Sequence, residues 1–88
     1  MEFIITFGHA HAERSGESWR SAKGYAVLEA PRLPEAIYAA NALFGDNYSM
    51  VRLPGEISED DLRRYFPQGE VARASVDPET GEWAIKVH

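Results

Sequence analysis

No cysteine occurs among the 88 residues of this chain, so neither a disulfide nor a thiolate-bound metal can hold its fold together. A chain of this length makes one domain, residues 1–88, and buries only about 60% of the surface that its unfolded form exposes. Domains this small often recruit a staple or a second copy. With disulfides excluded, a homodimer is one expected way to add buried area.

The apolar pattern sets the order of elements. Residues 2–7 are rich in Phe and Ile and suit a strand buried on at least one face. Gly8 opens a polar stretch from His9 to Lys23, read as a long loop. Strand character resumes from Gly24 to Ala30, and consecutive strands of this kind usually pair antiparallel. A helix follows. Pro34 stands at the expected first helical position, where its missing N–H costs nothing. Ala36, Ile37, Ala40, Leu43 and Phe44 share the expected buried face, small Ala39 helps the helix lie close to a sheet, and Gly45 is the expected cap.

Tyr48 to Leu53 reads as a third strand, ended by Pro54-Gly55. Ser58 is the expected N-cap of a second helix, with Asp61 three residues on as its capping partner and Ile57 and Leu62 as a staple. Pro67 stops that helix after about two turns. Val71–Val76 and Trp83–Val87 then flank the turn Asp77-Pro78-Glu79-Thr80-Gly81, which Gly81 is expected to close in the left-handed conformation. The expected fold is therefore α+β, in the order β-β-α-β-α-β-β, with a mostly antiparallel sheet and helices packed on one face.

Charge narrows the function classes. The net charge is −5, with nine acids and five bases in residues 45–88 against five and four in residues 1–44. A negative domain lacks the term that dominates affinity for phosphate backbones, so nucleic-acid binding is disfavoured. No window approaches the ~20 apolar residues that span a bilayer. The opening run Met1 to Phe7 has no basic segment before it and no cleavage site after it, so the expected compartment is the cytoplasm.

One polar constellation could carry chemistry. On a continued first strand His9, His11 and Glu13 share a face, and two imidazoles with a carboxylate suit zinc or another divalent ion. Such an ion would lower the pKa of a bound water and support hydrolysis. The plainer reading is a solvated strand end. Trp19 and Arg20, inside a polar loop, are candidate partner-binding residues because Trp and Arg are enriched at interface hot spots. Trp19 folding back to cap the core is the competing reading, and Trp83 is expected in the core. The acids Glu56, Glu59, Asp60 and Asp61 complement the dipole at a helix start. No Gly-x-Ser-x-Gly and no phosphate-binding glycine motif is present, so no catalytic residue is assigned.

Phe3-Ile4-Ile5-Thr6-Phe7-Gly8-His9-Ala10-His11, then Tyr25 to Ala30, then Leu43-Phe44-Gly45-Asp46-Asn47-Tyr48 and Ser49-Met50-Val51 form a familiar series. Over residues 3–53 it resembles small proteins encoded by tailed bacteriophages, in which a Phe-Gly-x-x-His strand end precedes a helix closing in Phe-Gly-Asp. The tryptophan usual after Gly-Asp is Tyr48 here. The resemblance implies a phage setting and a β-β-α-β half, and it assigns no catalytic residue or cofactor. The first functional expectation is a non-enzymatic interaction protein, a phage accessory factor that binds and modulates a host protein. The second is a divalent-metal-binding protein or hydrolase using His9, His11 and Glu13. The third is an acidic mimic of nucleic acid.

Overall fold

A computed structural model describes residues 1–7, 23–45, 48, 50–53, 55–77 and 79–88. The elements follow the expected order: β1 (Glu2–Thr6), β2 (Gly24–Glu29), α1 (Leu33–Phe44), β3 (Met50–Arg52), α2 (Glu59–Tyr65), β4 (Gly69–Val76) and β5 (Trp83–Val87). The five strands form one mixed sheet ordered β3-β1-β2-β4-β5. β1 is antiparallel to β2 and to β3, and β4 is antiparallel to β5, while β2 and β4 run parallel. Met1 and Ala30 extend the first pair by exchanging backbone hydrogen bonds of 3.0 Å. Among the described residues no helix is long and apolar enough to cross a membrane.

Alternation along the strands puts Phe3, Ile5 and Phe7 on one face with Ala26, Leu28, Ala72 and Ala74, all buried. Against this face α1 lays Ala36, Ala39, Ala40 and Phe44. Small residues on both sides let helix and sheet approach closely, and the phenylalanines fill the remaining volume. The Phe7 and Phe44 rings meet edge to face at 5.5 Å. Gly24 belongs to the same economy of space. A Cβ there would lie 2.6 Å from Val71 Cγ1 and 3.3 Å from the Gly69 carbonyl oxygen, so the position has no room for a side chain.

Several local expectations are refined. α1 begins one residue early, so Pro34 is the second helical residue, after Leu33. Ile37 turns outward at 41% exposure and Ala39 turns inward. The helix is rotated so that its alanine stripe, not its largest aliphatic side chain, meets the sheet. Gly45 does cap the helix, its N–H donating to the Asn41 carbonyl, with φ +63° and ψ −127°. β3 shrinks to three residues because its ladder with β1 ends at Arg52. β4 starts two residues earlier than expected, at Gly69, where it pairs with Gly24.

The two helices are not equivalent. α1 packs across β1, β2 and β3. α2 buries no residue, so it has no apolar stripe to lay on the alanine floor. The helices therefore do not share one face as expected, for the surroundings of α2 bear on the opposite one: Phe66 meets Tyr25 edge to face at 6.1 Å. Leu62 and Ile57 line a groove with Ile4, and Tyr65 and Asp61 line one with Arg52. The Ser58 hydroxyl accepts a 3.2 Å hydrogen bond from the Asp61 N–H, as the capping pattern requires.

Candidate functional site

The sheet is broader than the helix that covers it. α1 lies over the β3-β1-β2 half, and β5 stands beyond it as the outer strand. On the side that α1 covers, β5 presents Trp83, Ile85 and Val87, which alternate with Ala84, Lys86 and His88 on the other side. Trp83 is half-buried against the core, while Ile85 and Val87 are 40% and 44% exposed.

Between α1 and the hairpin lies a cleft of about 410 Å³, lined by Pro31, Pro34, Glu35, Tyr38, Val76 and Trp83. Tyr38, on α1 at 74% exposure, and Trp83, on β5, both line it. Among the described residues of the lining, Glu35 is the one that carries a charge. One carboxylate oxygen, Oε1, takes the Arg32 guanidinium, and Oε2 is sealed from solvent without a hydrogen-bond partner. Hydrogen bonding to Arg32 holds the Glu35 carboxyl below its ordinary pKa. The walls are apolar and aromatic, with one fixed anion, which is the chemistry of a recognition surface for side chains.

The hairpin that carries Trp83 is fixed locally. The Asp77 N–H donates to the Glu82 carbonyl at 2.8 Å, the Gly81 N–H to the Asp77 carbonyl at 2.8 Å, and the Glu79 N–H to Asp77 Oδ1 at 2.8 Å. Gly81 has φ +73°, the left-handed position that the turn was expected to need. Pro78 lies outside the described residues.

The opposite face carries a charge cluster centred on Arg73. Its Nη2 and Nε donate to the two Glu70 oxygens at 2.8 and 3.2 Å, and its Nη1 to Glu2 at 2.8 Å and Glu29 at 3.2 Å. His88 Nε2 closes on Glu70 Oε2. Glu70 and Arg73 are three apart and would point to opposite faces of a regular strand. They share a face because β4 carries one extra residue, Val71, where the register with β2 slips between Tyr25 and Ala26. Glu2 and Glu29 stand directly opposite each other on β1 and β2, an unfavourable like-charge pair that Arg73 bridges. The Arg73 hydrogen bonds, and secondarily His88, pull the Glu70 pKa below its ordinary value against the desolvation that raises it. This cluster ties three strands together.

Of the residues singled out from the sequence, His9, His11, Glu13, Trp19 and Arg20 lie outside the described residues, as does the loop reading of residues 9–22. Among the described residues no group of three or more His, Cys, Asp or Glu is placed to hold a metal ion. Glu56, Glu59 and Asp60 are exposed around the start of α2, and Asp60 pairs with Arg63 at 2.7 Å. Tyr38 escaped notice, although its place opposite the alanine stripe marks it as an exposed aromatic. The chain matches no protein-family model, no curated protein and no solved structure.

Proposed function

We propose that this chain is a non-enzymatic interaction domain that binds another protein through the cleft between α1 and β5. The observation that supports this reading is an apolar cleft between α1 and β5 that the exposed Tyr38 and the half-buried Trp83 both line. Tyr and Trp in such a setting supply large contact area at low entropic cost and dominate many interfaces. The occupant is a basic segment of a partner protein that seats an apolar side chain against Tyr38 and Trp83. The charge of −5 complements it. The resemblance to tailed-phage proteins makes a bacterial host protein the partner class, so the domain acts as an accessory factor that modulates that host protein.

The test begins with capture from a bacterial lysate and identification of a stoichiometric partner. Its affinity is then measured by calorimetry with both proteins purified. Because Tyr38 is exposed, Tyr38→Ala is expected to change stability by no more than ~0.5 kcal/mol. It is expected to weaken binding at least tenfold, and wild-type binding is expected to weaken as salt rises. A purified partner that binds wild type and Tyr38→Ala equally well would refute the cleft. A folded domain that captures nothing would refute the function.

A further inference from the structure

The backbone of β5 has an orientation that can be read from its ladder. The His88 N–H donates to the Val71 carbonyl at 3.0 Å, and the Asp77 N–H donates to the Glu82 carbonyl at 2.8 Å. Glu82 and His88 therefore turn their backbone groups toward β4. In a strand this direction alternates, so Ala84 and Lys86 face β4 as well. Trp83, Ile85 and Val87 aim their N–H and C=O groups outward, along an edge that no other strand among the described residues pairs with. The same three residues carry the apolar side chains of β5. The edge holds no proline and no bulge in its five residues, and Lys86 is its single charge. By contrast, the other edge, β3, is three residues long and includes Arg52. Exposed edges of the β5 kind are normally blunted or covered.

We propose that a second copy of this chain covers it, through antiparallel pairing of β5 with β5 about a twofold axis at Ile85. Antiparallel strands join only where outward-facing residues stand opposite each other, and each such pair exchanges two hydrogen bonds. Centring on Ile85 satisfies this along the whole strand: Ile85 faces its symmetry mate, and Trp83 faces Val87 twice. The second contact is an aromatic with a β-branched residue, a favourable cross-strand combination. On the other face Glu82 stands opposite His88 and Ala84 opposite Lys86, so no like charges are directly opposed. The twofold axis keeps both apolar faces on one side, which sets Val87 of each copy beside Trp83 of the other at the mouth of the cleft. The result is a continuous ten-stranded sheet. A join of this length belongs among interfaces below about 1,200 Å², the class of weak and transient contacts.

The join uses the β5 backbone and leaves Tyr38 outside it, so this inference and the partner-binding reading fail separately. Sedimentation of the full chain from about 1 to 500 µM is expected to show conversion from the 9.9 kDa monomer to a species of twice that mass. Tyr38→Ala is expected to behave as wild type. Ile85→Pro removes an outward N–H and no bond to β4, and is expected to stay monomeric throughout the range. Ile85→Lys and Ile85→Glu each set like-charged side chains directly opposite each other across the axis, on Cα atoms about 5.5 Å apart. Each alone is expected to lose at least tenfold in self-affinity, and an equimolar mixture is expected to restore association as a heterodimer. Should Ile85→Pro fail to fold, the charge pair decides. A wild type that stays monomeric at 500 µM would overturn the proposal. So would a dimer that survives Ile85→Pro, or charge variants whose mixture gains nothing.

Discussion

Phe3→Ala is expected to remove about half of the stability of this domain. Phe3 is wholly buried, sits at the middle of the sheet's packed face and has the alanine stripe of α1 above it. Alanines cannot extend into the space that a phenylalanine leaves, so the cavity stays open and the cost is about 3–5 kcal/mol. A domain of this size has roughly 5–10 kcal/mol in all, and its thermal midpoint should fall by roughly 20 °C. Ile37→Ala is the contrast. Ile37 looks equally central in the helical pattern, but it is 41% exposed, and its loss should cost under about 1 kcal/mol. Thermal unfolding of both variants checks the pair. Phe3→Ala melting within a few degrees of wild type would mean that the core does not lie where the alanines put it.

Arg73→Met should destabilise the domain by about 1–2 kcal/mol at neutral pH, between the value of an exposed ion pair and that of a buried one. The guanidinium is more than one-third exposed, so solvent screens part of its attraction. Removing it leaves Glu70 without its bidentate partner and lets Glu2 face Glu29 unbridged. The pH dependence identifies the cause. Glu70 titrates below its ordinary value in the folded protein, so it binds protons less readily folded than unfolded. Its contribution is therefore complete above the unfolded carboxylate pKa of about 4.3 and is lost as pH falls through the lower folded value. Wild type should lose stability across that acid window. Arg73→Met should lose less, and the two urea midpoints should converge. A difference that persists undiminished well below that window would assign Arg73 a packing role instead.

The legible parts of the fold were those written in short stretches of chain. The order of elements, the β1–β2 pairing, the Ser58 cap and the left-handed Gly81 each follow from neighbours a few residues apart. The parallel β2–β4 pair was not legible, because no local period states which distant strand lies alongside. With it went the bulge at Val71, and hence the meeting of Glu70 with Arg73. Ile37 faces solvent rather than the sheet because helical periodicity gives a face of about 100° without saying which rotation packs closest. The site was hidden for a related reason. Trp83 reads as a core strand residue, and it does touch the core. The binding role proposed for it depends on α1 stopping short of β5, which leaves a cleft that Tyr38 and Trp83 both line.

The central claim is that the sheet beyond α1 is a contact surface which the lone domain leaves open. Residue-resolved amide hydrogen exchange along β5, at about 1 µM and at about 500 µM, addresses it most directly. In dilute protein the N–H groups of Ala84, Lys86 and His88 should exchange slowly and those of Ile85 and Val87 fast. At high concentration Ile85 and Val87 should slow as well, while Tyr38→Ala leaves the pattern unchanged. Slow exchange of Ile85 and Val87 in dilute protein would show the edge already covered within the single chain, and that would contradict the account.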